Sequence, residues 1–155
     1  MDVHDKVTRS RNMKAIKSRD TKPEMLVRKL LHSHGYRYRV TPSNLPGKPD
    51  IWLAKWDTAI FINGCFWHGH NCDYFRLPKT RTQFWKEKID KNRLRDERNR
   101  RELQSSGIRV LTIWECSLKG KGKINEGMLL TLFKTWLLCG KPEAEITSDG
   151  LILRR

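Results

Sequence analysis

Residues 64–80, GCFWHGHNCDYFRLPKT, follow neither a helical nor a strand period, yet they carry three soft metal ligands in close succession. An irregular segment of this length is uncommon inside a small domain, and where it occurs it is usually functional. Something other than apolar packing must hold it. Cys65-x4-His70-x-Cys72 offers two thiolates and an imidazole, and Cys116 stands just past the apolar run IRVLTIW at 108–114. Together the four would close a tetrahedral Cys3His zinc site. Such a site would staple the loop to the end of a strand, with metal binding energy replacing the packing that the loop lacks. The spacing leaves a second reading open. It is not the double CxxC pattern, and Cys116 can equally be a buried thiol with the loop histidines on the surface. His68 is out of phase with His70 and reads as an alternate ligand or a catalytic base.

The elements around this loop define the rest of the fold. Thr21-Lys22-Pro23-Glu24 reads as a capping box with proline just inside the helix start. Met25, Leu26, Val27, Leu30 and Leu31 continue that helix, and Gly35 stops it. Tyr36, Tyr38 and Val40 alternate with arginines as a half-buried strand. After Pro46-Gly47-Lys48-Pro49, residues 50–54 and 59–62 read as strands joined by a turn at 55–58. A long charged helix is expected from about Arg81 to Ser106, a buried strand over 108–114, and an apolar helix from Met128 to Leu138 with Cys139 buried at its end. Residues 140–155 read as a tail, with Ile152 in a short strand at most. The order α-β-β-β-α-β-α implies an α/β fold with a central mixed sheet flanked by helices. The length of 155 residues suits a single domain over 1–155 with one core.

Charge restricts the partner. Lys and Arg number 32 against 17 Asp and Glu, a formal net charge of +15. An excess of this size repels itself in a compact chain and calls for a polyanion, because basic side chains displace counterions condensed on phosphates. A membrane surface or a ribosome would also serve. Nucleic acid is favoured by the six tryptophans, since aromatic rings stack on bases or wedge between them. No stretch approaches a membrane span, and the N-terminus MDVHDKVTRSRNMK lacks the apolar stretch of a signal peptide. A cytoplasmic, nucleoid-associated protein without a membrane partner is expected, with its cysteines as thiols.

Asp50 opens a strand after Pro49, where a carboxylate can hold magnesium against a phosphate. Alone, Pro-Asp is equally a turn. On the long helix, Trp85, Ile89, Asn92, Asp96, Asn99 and Leu103 share one face, apolar at both ends and polar in the middle. Unpaired polar groups within a packed stripe are costly, so the middle faces either a site or nucleic acid; the alternative is a solvated helix packed on another face. Phe66-Trp67, in a polar loop between ligand candidates, and Trp85 are candidates for insertion into a base stack. Arg9, Arg11, Lys14, Lys17 and Arg19 form a basic arm within residues 1–20, and Met13 among them is a candidate groove wedge.

These residues resemble the very-short-patch repair (Vsr) endonuclease family. The likeness runs through VHDKVTRSRNM at the N-terminus, LPGKPD at 45–50, Phe61-Ile62-Asn63-Gly64-Cys65-Phe66-Trp67-His68, Thr80-Arg81-Thr82 with Phe84-Trp85 and Lys88-Ile89, and GIRVLTIWEC at 107–116. It covers the chain to about residue 140. It implies a restriction-endonuclease-like fold and a single-strand nick 5′ to the T of a T:G mismatch left by deamination of 5-methylcytosine. Carried over by position, Asp50 matches a magnesium ligand, with the Ile62 backbone carbonyl as a second donor, and His68 matches the active-site histidine. Glu24 and Asp96 match acidic residues around the site. Cys65, His70, Cys72 and Cys116 match structural zinc ligands. Phe66, Trp67 and Trp85 match a wedge entering beside the mismatch, Met13 an insertion in the minor groove, and Lys88 and Asn92 mismatch contacts. Asn63 and Gly69 stand where family members can carry histidine. The usual acidic residue and lysine of this fold are absent from the strand at 59–63, and the resemblance gives their place to His68.

The expected chemistry is phosphodiester hydrolysis by a monomer on double-stranded DNA, with mismatch-repair proteins as candidate helpers. Asp50 would hold magnesium, and His68 would take a proton from water or orient it. Two other readings fit the basic charge and the aromatics: a zinc-stabilised DNA-binding module without catalysis, and a related nuclease acting on matched DNA.

Overall fold

The computed structural model describes residues 20–154. Helix α1, Lys22–Ser33, starts as its sequence dictates. Thr21 Oγ1 accepts the Glu24 N–H at 3.4 Å, but the Glu24 carboxylate reaches one residue further back than a capping box requires, accepting the Asp20 N–H at 2.8 Å. Strand β1 is shorter than the tyrosine alternation suggests. Only Arg39–Val40 pairs, at the sheet edge and exposed, while Tyr36 and Tyr38 pack on the core from outside the ladder. Strand β2 is Ile51–Leu53, followed by a short 3-10 turn over Ala54–Trp56 and then β3, Thr58–Asn63.

Helix α2 spans Thr82–Ser105 and ends before Gly107, whose φ of +79° suits glycine. Strand β4 is Arg109–Trp114. Helix α3, Glu126–Cys139, is capped by the Asn125 side chain on the Met128 N–H. Its buried face runs through Leu129, Leu130, Phe133, Trp136 and Leu137. Cys139 falls off that face and is exposed, correcting the expectation of a buried thiol.

The segment read as a tail is a structural part of the sheet. Strand β5, Glu143–Thr147, and strand β6, Gly150–Arg154, form a hairpin. The six strands lie in the order β1-β2-β3-β4-β5-β6, antiparallel except for β3/β4 and β4/β5, which are parallel. Ala144 and Ile146 of β5 are fully buried, alternating with Glu143 and Glu145 on the other face.

The sheet is therefore mixed and flanked by helices, as the element order implies. Alternation along the strands sends Ile60, Ile62, Leu111 and Ile113 towards Leu30, Leu31, Phe133 and Trp136 of α1 and α3. Ala59 and Val110 pack with Leu103 of α2 on the opposite side. No helix among the described residues is long and apolar enough to cross a membrane.

Candidate active site and metal cluster

The end of β3 and the loop that follows it face α2 across a cleft of about 1430 Å³. Asp50, Glu24, His68, Asp96 and Asn63 all line it. Asp50 arrives from the start of β2 beside β3, and its Oδ2 accepts the Ile62 N–H at 2.6 Å. Burial raises its carboxyl from 3.8 to about 6; the Ile62 hydrogen bond and the charges of Arg28 and His68 oppose the rise, and Glu24 adds to it. Such a carboxylate gains by meeting a cation. That is the fit expected of a group meant to hold one, and a carboxylate is the hard oxygen donor magnesium prefers.

His68 arrives from the irregular loop. Its Nδ1 lies 2.5 Å from Asp96 Oδ2, in the middle of α2. With Nδ1 committed to the carboxylate, Nε2 is left as the proton-accepting nitrogen. The polar middle of α2 therefore faces the site, and the solvated-helix alternative is set aside. Ile89 and Leu103 anchor the two ends, both essentially fully buried. Asn92 donates its Nδ2 to the Trp67 carbonyl at 2.8 Å and accepts from Arg95 at 2.7 Å, tying the loop to the helix. Lys88 is exposed on the same helix.

Beside this cleft the loop folds a second cluster. One ligand atom from each of Cys65, His70, Cys72 and Cys116 lies within 4.8 Å of the others. A tetrahedron built with zinc bond lengths has edges of about 3.5–3.8 Å, so the four groups are already near the required size. Local turns set the spacing: the His70 N–H donates to the Cys65 carbonyl, and the Cys72 N–H to that of His70. Cys116 comes from the 3-10 turn Glu115–Ser117 directly after β4. The His70 ring stacks on Trp114 with centroids 4.1 Å apart and planes at 8°. Burial lowers the His70 pKa and raises that of the Cys65 thiol. A neutral imidazole is already the ligand form, and a bound cation would let the buried thiol ionise. The donor set thus fits a soft divalent metal and settles the spacing ambiguity for a cluster over scattered thiols.

Gly69 allows the loop to turn between the two sites. Its φ is +61°, and an added Cβ would run into Arg93 and Ile89 of α2. Arg93 also donates to the Gly69 carbonyl. On the outer side of the loop, Phe66, Trp67 and Trp85 form an edge-packed group with centroids 5.2–5.9 Å apart. Trp67 is 41% exposed, so the group presents an aromatic tip to solvent next to the cleft.

The family model described as DNA mismatch endonuclease Vsr matches residues 1–74. The DNA mismatch endonuclease Vsr of Escherichia coli (strain K12) is 46% identical over 153 residues, 98% of this chain and 97% of that protein. The chain belongs to the Vsr family. The type II nicking enzyme V.NmeAIP of Neisseria meningitidis is 48% identical over 125 residues, covering 81% of this chain and 89% of its own length. V.XorIIP of Xanthomonas oryzae, another type II nicking enzyme, is 45% identical over 112 residues, 72% and 82% of the two lengths. As a Vsr-family member the protein is a DNA endonuclease, and the non-catalytic binding module is set aside.

Asp50, His68, Asp96 and Glu24 converge on one cleft, the four cluster residues meet, and the three aromatics touch. Met13, Arg9, Arg11 and Lys14 lie outside the described residues. Sequence reasoning missed Arg28, Arg93 and Glu145. Glu145 accepts from Trp114 Nε1 at 3.0 Å and so steadies the ring under His70. An acidic residue at an alternating position of β5 signals it only once β5 is recognised as a strand.

Proposed function

We propose that this Vsr-family endonuclease nicks one strand of double-stranded DNA 5′ to the T of a T:G mismatch, by hydrolysis within the Asp50–His68 cleft. The observation that carries this reading is the His68–Asp96 pair in the same cleft as a burial-strained Asp50, beside an exposed aromatic tip. In the proposed site Asp50, with the Ile62 carbonyl, would hold magnesium, which when bound supplies positive charge to the scissile phosphate and its departing oxygen.

The chain's own groups do the rest. Asp96 fixes the His68 tautomer and orientation, so that Nε2 takes a proton from the attacking water. The imidazolium that forms is stabilised by the same carboxylate. Glu24 completes the acidic wall of the cleft. Phe66, Trp67 and Trp85 enter the base stack beside the mismatch, where a poorly stacked pair costs least to open. Lys88 and Asn92 lie on α2, which contributes Trp85 to this wedge, and are the proposed base-edge contacts, while Met13 and the basic residues of 1–20 would grip the opposite groove and its phosphates. Cys65, His70, Cys72 and Cys116 would hold zinc, which keeps wedge and histidine on one rigid loop.

The fold is read as restriction-endonuclease-like, in one domain acting as a monomer. The test is direct. Incubated with magnesium, the protein is expected to nick a T:G duplex on the T strand and leave the matched duplex intact. Equal cleavage of both would favour a nuclease of matched DNA, and cleavage of neither would remove the reading.

A further inference from the structure

Arg28 belongs to neither cluster. It sits one helical turn after Glu24 on α1, with its side chain only 9% exposed. Nη2 lies 3.1 Å from Glu24 Oε2, and Nη1 lies 2.7 Å from Asp20 Oδ1 and 3.3 Å from Met25 Sδ. Its buried Nε has no hydrogen-bond partner among the described residues. A guanidinium held this way is a poor device for stability alone. Desolvation takes back much of what the ion pairs contribute, and an apolar side chain of similar size often serves as well or better. Its neighbours on α1, Val27, Leu30 and Leu31, are apolar and buried.

The partner explains the position. Glu24 lines the cleft together with Asp50, and its side chain is 4% exposed. Two carboxylates on one wall repel each other. Arg28 acts from behind the wall, because it is absent from the cleft lining.

We infer that Arg28 is a positioning residue of the cation site: it holds Glu24 as a charge-neutralised wall, so that Asp50 alone faces the metal and the phosphate with an uncompensated charge. The inference rests on the reading of Asp50 as the magnesium carboxylate. Its consequence is a site that takes a divalent cation weakly in free protein and tightly only when DNA phosphate completes the ligand set. Without Arg28, Glu24 and Asp50 become a two-carboxylate site that binds the cation without DNA.

Manganese titration of the DNA-free, as-purified full chain tests this. Arg28→Met is expected to bind manganese about 10-fold or more tightly than the parent, the scale of one unit charge nearby in a partly buried site. Arg28→Lys keeps the charge and is expected to stay within about 2-fold of the parent by the same electrostatic argument. Glu24→Gln removes one negative charge near Asp50 and leaves the guanidinium paired with Asp20, and is expected to bind more weakly. A purely structural Arg28 would lower the Tm of free and manganese-loaded protein alike and leave affinity unchanged, which overturns the inference. If Arg28→Met does not fold, Glu24→Gln decides, since unchanged or tighter binding there also overturns it. Asp50→Asn tests the magnesium site apart from Arg28. Manganese binding that survives Asp50→Asn removes the underlying magnesium reading. Binding that needs Asp50 but ignores Arg28 removes this inference alone.

Discussion

The loop at 64–72 serves two neighbouring regions built on opposite principles. In the Cys65–His70–Cys72–Cys116 cluster the donors are soft, partly or fully buried, and close enough to complete a coordination shell from the protein alone. In the cleft with Asp50 and His68 the donors are hard and few, and the cavity is open. The first arrangement suits a metal that holds structure. The second suits an ion that shares its ligands with a substrate phosphate. Gly69 marks the boundary, since its left-handed backbone lets His68 turn towards Asp96 while His70 turns onto Trp114. An irregular loop can therefore present His68 to the cleft while its neighbouring residues form a donor cluster suited to a metal.

The comparison breaks most visibly at the cluster. Cys116→Ala is expected to lose the zinc and to destabilise the chain by more than about 4 kcal/mol, the class of effect reserved for lost metals and disulfides. Metal content by mass spectrometry and a denaturant titration check it, and retained stoichiometric zinc would contradict the ligand set. At the cleft the effects should fall on rate instead. His68→Gln is expected to slow single-turnover nicking by about 10²- to 10⁴-fold, the range for a general base, with Tm little changed. Asp96→Asn should cost less, about 10- to 100-fold, the range for partners that orient a functional imidazole. A rate equal to the parent's in either variant would disconnect the pair from the chemistry.

The smallest effect is on stability and has an unusual sign. Asp50 has its carboxyl raised to about 6 in the folded chain. Its contribution to stability is therefore full below the unfolded pKa of about 4 and is lost as pH rises through 6. Asp50→Asn removes that loss. In metal-free buffer its Tm is expected to exceed the parent's by a few degrees at pH 8, the size of a shift of about 1 kcal/mol or more, and to match it at pH 4. Magnesium should narrow the gap at pH 8. A variant less stable than the parent at pH 8 would mean that Asp50 is not strained by burial.

Much of this division is legible in the residues. Thr21 to Glu24, the long helix with its polar middle, and the apolar runs of β3 and β4 carry their periods openly. The alternation of α2 between anchors and site follows from Ile89 and Leu103 enclosing Asn92 and Asp96. The edge strand is shorter than its pattern because Tyr36 and Tyr38 alternate correctly but find no partner strand, and only Arg39–Val40 reaches β2. The hairpin of β5 and β6 does not stand out in the sequence because Ala144 and Ile146 are the only apolar residues on the buried face of β5. Its role is set by tertiary pairing with β4. Arg28 was hidden for a different reason. A lone arginine four residues after a glutamate reads as a surface pair, and only burial reveals the cost of keeping it there.

DNA binding and chemistry are expected to separate at Asp50. The most direct measurement is single-turnover nicking of a T:G duplex by Asp50→Asn, with DNA affinity measured on the same preparation. The expected result is nicking reduced below detection, affinity for the duplex within a few-fold of the parent, and an unchanged zinc content. Nicking at the parent's rate, or loss of binding and cleavage together, would contradict the account.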